Sequence, residues 1–387
     1  MSKKTVLITS NLYRPNIGGI ENSLFFIAQE YIKNNYHVDI VVTDINNTSN
    51  EKLPYYELEK SGVNIYRYDS SSVIRRVVNG IKIYYKLLKK YKYDIVISRS
   101  HVPVVLCYMA GMRNIKYLLA GVNFEQNSIK NSLVRSSKIR QYLSFYIHHY
   151  LQFIAVRLAY KNFVFSKNML KQMKQYLKIE SNIELCKPGV DSKIFNLVSK
   201  SERRELREKY GFTENDIILL GVGRFYPVKG FKYAIESMID LPKNVKLLLV
   251  GGGEEKVLYE KIIKENNLSE QVKIIGPVSN TNLYYKISDI YVLSSTHETL
   301  GQTVLEALVS GLPICAFSPS LTNILTSTNE ITDESNCTYA NELSSKALAE
   351  AILSSINKLN SNYYDREKIS KEAMQKFNWS VLIEKLS

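Results

Sequence analysis

A chain of 387 residues is about twice the length of an ordinary domain, so its core is expected to be shared between two domains. With 45% hydrophobic and 23% charged residues and only 9 Pro and 17 Gly, the composition excludes a disordered or fibrous protein. The formal charge of +14 is unevenly spread: residues 1–187 carry 28 Lys and Arg against 12 Asp and Glu, and residues 188–387 carry 23 against 25.

The imbalance is greatest in 70–178, where 20 basic residues face only Asp94 and Glu125 as acids. Such one-sided charge points to an anionic partner or surface. No apolar run approaches the roughly 18 residues that span a bilayer, and the first 11 residues lack the apolar stretch of a secretion signal, so a cytoplasmic protein is expected. Cys107, Cys186, Cys315 and Cys337 lie 79, 129 and 22 residues apart without a CxxC pair, the pattern of reduced, buried thiols.

Along the chain the first signal is a short apolar run at 5–9, a Gly18-Gly19 turn, and Ile20, Leu24, Ile27, Ala28 and Tyr31 at helical spacing. A strand at 38–42 completes a strand, helix, strand unit, which requires parallel pairing. The alternation continues through strands at 94–98, 117–120 and 162–165, with a long basic segment at about 133–160. Lys187-Pro188-Gly189 breaks it where a linker is expected. Strands at 217–222, 245–250, 272–275, 290–293 and 313–317 then alternate with helices from about 229, 255 and 301. The expected fold class is α/β, with two doubly wound domains over 1–187 and 188–365 and a terminal segment over 366–387. Open α/β sheets bind ligands at the carboxyl ends of their strands, so a cleft between the two domains is expected to hold the site.

The most informative stretch runs from Ser294 to Leu308, a strand end leading into a helix, and contains Glu298 and Glu306 eight residues apart. Gly301 places Glu298 in the loop and Glu306 in the second helical turn, so the two carboxylates can grip separate parts of an elongated polar ligand. Between them the amides of Thr299, Leu300, Gly301 and Gln302 are expected to lack intrahelical partners and to favour an anion such as a diphosphate. Gly223-Arg224 and Lys229-Gly230 follow another strand, and a guanidinium with an ammonium can neutralise a departing diphosphate. Neither an Asp-x-Asp motif nor a His and carboxylate cluster occurs, so the cations are expected to act without a metal. The run Gly251-Gly252-Gly253 lacks full GxGxxG spacing and reads as packing. Gly18 and Gly19 can let backbone approach a ligand, His101 follows a strand end, and His148-His149 sits in an aromatic, basic helix suited to a binding surface.

These pieces, in this order, resemble the retaining glycosyltransferases of family 4, which have the GT-B fold of two facing Rossmann-like domains. The likeness rests on Pro15-x-x-Gly18-Gly19-x-Glu21, Pro188-Gly189-Val190-Asp191-x-x-x-Phe195, Gly223-Arg224 with Lys229-Gly230, the Glu298-x7-Glu306 pair and Phe377-Asn378-Trp379. It implies that Arg224 and Lys229 bind the donor diphosphate, Glu298 the hydroxyls of the transferred sugar, and Glu306 the ribose. It further implies that Gly19 approaches the phosphates, that His101 lies near the sugar, that Gly276-Pro277-Val278 touches the base through its backbone, and that a terminal helix over 366–387 returns to pack on the first domain. One departure is Cys315-Ala316-Phe317-Ser318-Pro319-Ser320, where many relatives have a glycine-rich turn.

The implied activity is metal-independent transfer, with retention, from a nucleotide-sugar co-substrate, most readily a UDP-sugar. The acceptor is a glycan or a lipid-linked molecule, in polysaccharide, lipopolysaccharide or glycolipid assembly. The basic first domain, with aromatics among its charges at 142–150, suits the anionic inner face of the plasma membrane. Two alternatives are a hydrolysing nucleotide-sugar epimerase on a similar architecture and a basic nucleic-acid-binding protein. No helix-turn-helix, zinc or RNP motif supports the second, and no nucleic-acid partner is expected.

Overall fold

The structure is a computed structural model that describes residues 3–16, 18–47, 49, 51–126, 138–298 and 300–387. It divides into two compact units, residues 1–189 with 379–387, and residues 190–378.

In the first unit the strands are β1 (Thr5–Thr9), β2 (His37–Thr43), β3 (Tyr56–Leu58), β4 (Asn64–Tyr68), β5 (Ile95–Ser98), β6 (Ile115–Leu118), β7 (Lys161–Val164) and β8 (Ile183–Leu185). They form one sheet in the order β3-β4-β2-β1-β5-β6-β7-β8, parallel except for β3. Alternation along β1 explains the layering. Val6 and Ile8 join the core under the helix Gly19–Lys33, whereas Leu7 joins the core on the opposite face, beneath the helices Val73–Lys90, His101–Met109 and Lys138–Leu158. Of the apolar positions expected on the first helix, Leu24, Ile27, Ala28 and Tyr31 are fully buried. The expected basic segment begins outside the described residues and is a helix from Lys138 onward.

The second unit has β9 (Ile217–Val222), β10 (Val245–Val250), β11 (Val272–Gly276), β12 (Ile290–Leu293), β13 (His297–Glu298), β14 (Ile314–Phe317), β15 (Leu325–Thr326) and β16 (Cys337–Ala340). Six of them form a parallel sheet in the order β11-β10-β9-β12-β14-β16, and β13 pairs with β15 alone. From β9 the chain builds outward through β10 and β11, then crosses to the other side for β12, β14 and β16. The order therefore reverses between β9 and β12, and the loops leaving these two strands diverge from one point on the carboxyl edge.

Two local expectations change. The helix expected from about 229 is one 3₁₀ turn over Pro227–Lys229 followed by an α-helix over Phe231–Ser237, because Gly230 takes a left-handed φ of +61° and interrupts it. The terminal segment 366–387 is two helices: Arg366–Lys376 stays in the second unit, and only Trp379–Leu386 packs in the first. There Trp379 stacks on Phe26 with ring centroids 5.6 Å apart, and Lys116 Nζ donates to the carbonyl oxygens of Leu386 and Ser387 at 2.7 Å. All four cysteines are buried and unpaired.

Candidate functional site

The loop after β9 is shaped by glycine. Gly223 turns the chain with φ +159°, and its N–H donates to Val250 O at 3.0 Å while Phe225 N–H donates to Gly252 O at 2.8 Å. A Cβ on Gly251 would lie 1.9 Å from Gly223 O, and one on Gly253 would lie 2.6 Å from Phe225 O. The Gly251-Gly252-Gly253 turn is thus a packing device that lets two backbones interlock. Arg224, held at the tip, is exposed, its guanidinium 5.3 Å from the Tyr226 ring centroid, and it forms no ion pair among the described residues.

Four to six residues after Arg224 the same loop locks onto the one that leaves β12. A Cβ on Gly230 would stand 2.2 Å from Ser294 O, so only glycine permits the approach. Ser294 Oγ donates to Lys229 O at 2.9 Å, and Thr296 N–H donates to Val228 O at 2.9 Å. This clamp sets the Lys229 ammonium against Oε2 of Glu298 in a mostly buried ion pair. Glu298 lies in β13 and not in the expected loop: it pairs with Thr326 of β15, which fixes its backbone.

Thr299 lies outside the described residues. Leu300 is buried, and Gly301, at φ +89°, caps the helix Gln302–Val309. Val304 N–H and Leu305 N–H donate to Gly301 O at 2.9 and 3.3 Å and close the first turn of that helix. Glu306 is in the second turn as expected. Its Oε2 accepts from Tyr285 Oη at 2.9 Å, and desolvation pushes its carboxyl up to about 7 against the opposing effect of that hydrogen bond. Val278 is half-buried in the loop that leaves β11, next to the Gly276 turn whose carbonyl accepts from Gly251 N–H at 3.0 Å. Arg224, Lys229, Glu298, Gly301, Gln302, Glu306 and Val278 therefore all lie in segments that follow the carboxyl ends of strands of one sheet.

Gly18, Gly19 and His101 are in the first unit. Gly18 is extended backbone at the start of the helix Gly19–Lys33, and a Cβ on Gly19 would meet nothing within 4 Å, so Gly19 borders open space. His101 follows β5, at the point where that sheet's order reverses between β1 and β5. Its Nε2 is 2.9 Å from His148 Nδ1, and burial, reinforced by His148, lowers its pKa to about 4. His148, expected on a binding surface, instead faces inward as the partner of His101. The neighbouring Arg99 is structural: it is buried and donates to Leu118 O and Leu119 O at 3.1 and 3.4 Å. Tyr285 was not singled out as site-forming from sequence, because nothing local distinguishes it from a core residue.

Two doubly wound α/β units in tandem define the GT-B class. The family model "Glycosyltransferase Family 4" matches residues 17–194 and "Glycosyl transferases group 1" matches residues 202–376. Alpha-monoglucosyldiacylglycerol synthase of Acholeplasma laidlawii is 28% identical over 145 residues, 36% of this chain and 36% of that protein. The enzyme of the same name from Streptococcus pneumoniae is 23% identical over 334 residues, 82% of this chain and 72% of its own length. Among solved structures, Anabaena HepE in complex with UDP-glucose superposes with a TM-score of 0.76 at 17% identity, covering 99% of this chain and 98% of that one. The chain belongs to the group 1 and family 4 glycosyltransferases, as its two matched halves show.

Proposed function

We propose that this glycosyltransferase moves a sugar from a UDP-sugar to a hydroxyl of a glycan or lipid-linked acceptor, with retention, in surface polysaccharide or glycolipid assembly. The reading is carried by one observation: Lys229 and Glu298, from loops that diverge at the strand-order reversal, are clamped together beside the Gly301-led helix that bears Glu306. Arg224 and Lys229 with the leading amides bind the diphosphate, Glu298 the sugar hydroxyls and Glu306 the ribose, while Val278 borders the base. As the bond from the anomeric carbon to the diphosphate oxygen breaks, negative charge grows on the leaving group. Arg224 and Lys229 stabilise it in the role a metal serves elsewhere. The acceptor oxygen bonds to the anomeric carbon from the same face and its proton passes to the leaving phosphate. The UDP-glucose complex of HepE supports the choice of donor.

Thermal unfolding with UDP-, GDP- and ADP-glucose tests the donor, since a ligand selective for the native state raises apparent stability. UDP-glucose should raise it most. No response to any of the three, or sugar product formed from donor alone, would remove the transferase reading of this site.

Acceptor delivery at the anionic inner face of the membrane is supported by the helix Lys138–Leu158. Leu143, Tyr146, Ile147 and Tyr150, at i, i+3, i+4 and i+7, are 61%, 56%, 48% and 64% exposed. They form one apolar stripe, while Gln152 on the inner side is buried and bonds Gly121 O at 2.8 Å. An apolar stripe within a strongly basic region fits peripheral binding to anionic lipid, with clustered Lys and Arg gaining about 1 kcal/mol each near the surface. No helix among the described residues is long and apolar enough to cross a membrane. Flotation with phosphatidylglycerol vesicles should recover the protein, and replacing Leu143, Tyr146, Ile147 and Tyr150 by Ser should abolish recovery. Equal binding to neutral vesicles removes the electrostatic part.

A further inference from the structure

We propose that Tyr285 is a positioning residue for the donor: by donating to Oε2 of Glu306 it fixes that carboxylate and leaves Oε1 to accept from the nucleotide's ribose. The inference rests on the reading of Glu306 as the ribose acceptor. Tyr285 is fully buried on the helix Asn282–Ile287 and cannot swing away. Its ring is stacked on Tyr291 at 5.9 Å and 10°, and meets Phe195 edge-on at 5.3 Å and 89°. Tyr291 is anchored in turn, its hydroxyl donating to Val222 O at 3.3 Å, the last residue of β9 before Gly223 and Arg224. One aromatic brace therefore ties the carboxylate to the loop that carries the cations.

The chemistry of the pair is directional. Burial raises the Tyr285 phenol well above its ordinary range, so it remains a donor at every working pH. Glu306, in contrast, has no cation holding it ionised among the described residues. Tyr285 faces it from one helix and Tyr291 from β12, the latter also bonded by Thr303. Glu298, whose charge reaches Tyr291, is engaged by Lys229. On the helix Arg366–Lys376, packed against the helix of Glu306, Arg366 turns its Nε to Gly311 O at 3.1 Å. The Tyr285 hydroxyl is the one interaction that opposes the upward push of burial on the carboxyl, which stands at about 7. A carboxylate accepts from ribose hydroxyls, and a protonated carboxyl loses acceptor capacity, so nucleotide affinity should fall as pH drops through that value. Without the hydroxyl, the midpoint moves up.

The test is calorimetric binding of UDP between pH 5.5 and 9 to the wild-type protein, Tyr285→Phe and Glu306→Gln. Wild-type affinity should decline below about pH 7. Tyr285→Phe should shift that decline upward by about one pH unit, weakening binding about fivefold at pH 7 and little at pH 9. Glu306→Gln should bind weakly and without pH dependence in this range. A parallel loss at every pH in Tyr285→Phe, the result of a packing role alone, overturns the proposal.

If the wild-type protein binds no UDP, or Glu306→Gln binds as well as wild type, the ribose reading has failed and not the brace. The brace is then judged by carbon-13 NMR of protein labelled at the glutamate carboxyl carbon, with Glu306→Gln identifying the resonance. A raised midpoint in Tyr285→Phe supports the hydroxyl as the group that holds the carboxylate, and an unchanged midpoint overturns it.

Discussion

The hydroxyl of Ser294 donates to the carbonyl oxygen of Lys229 at 2.9 Å, so a short polar side chain at the end of β12 positions a lysine that sits 65 residues earlier. Removing it leaves a part-buried carbonyl without this donor. Ser294→Ala should lower stability by about 1 kcal/mol. On the proposed role of Lys229 in stabilising charge that develops in the transition state, it should also reduce turnover more than donor affinity. Steady-state kinetics with denaturant unfolding separates the two effects, and unchanged turnover would show that the clamp does not govern the lysine.

Lys229→Ala removes one of the two cations assigned to the departing diphosphate and leaves Glu298 without its ion-pair partner. Turnover should fall by roughly 10² or more, the scale of a lost transition-state charge contact. Nucleotide release measured in single-turnover experiments reads this directly, and near wild-type rates would exclude Lys229 from the mechanism.

Gly230 faces two constraints at once, a φ of +61° and a backbone oxygen 2.2 Å from where a Cβ would sit. Gly230→Ala should therefore cost about 2 to 3 kcal/mol of stability, from strain and overpacking together. Denaturant midpoints with an unchanged m-value would establish it.

Asp289 is buried between Arg203 and Arg207, accepting from Arg203 at 2.5 Å and also bonding the Ile218 N–H at 2.8 Å. Desolvation raises its pKa, but the charges of Arg203, Arg207 and Arg366 and the Ile218 N–H together outweigh that and hold it below the ordinary carboxylate value. A depressed folded-state pKa contributes stability that is present above the unfolded value near 3.9 and is lost as pH falls through the folded one. Asp289→Asn leaves buried guanidinium charge uncompensated and should destabilise by about 3 to 5 kcal/mol at pH 7. The deficit should shrink in acid below about pH 4, which pH-dependent urea unfolding would reveal.

His101, with its pKa lowered to about 4 by burial and by His148, should stay neutral across the range in which an exposed histidine titrates. Its ring NMR signals should be flat from pH 8 to 5 and move only below. In His148→Phe the hydrogen bond at Nε2 disappears, so the ring nitrogen shifts of His101 should change at constant pH. A midpoint near 6.5 in the wild-type protein would contradict the buried pair.

Much of the second unit was legible in the order of residues. The strand runs at 217–222, 245–250 and 290–293 coincide with β9, β10 and β12, because a buried parallel strand announces itself as a short apolar run bounded by polar residues or glycine. Gly301 marked the start of the helix of Glu306 for a similarly local reason, the left-handed φ it supplies. The 3₁₀ turn at Pro227–Lys229 was not legible, since Lys229-Gly230 in sequence carries no sign of the carbonyl that waits 65 residues on.

The sequence by itself determined the two α/β units, the glycine turns at their strand ends, and the residue types able to hold a phosphorylated sugar, because these follow from periodicity and backbone freedom within a few residues. Only the tertiary structure decided which of those residues meet. The Lys229 and Glu298 pair spans 69 residues, His101 and His148 span 47, and Tyr285 and Glu306 span 21. The Lys229 and Glu298 contact exists because β9 lies beside β12 in the sheet. Strand neighbours are selected by the packing of whole layers, a global balance that no local window of sequence contains.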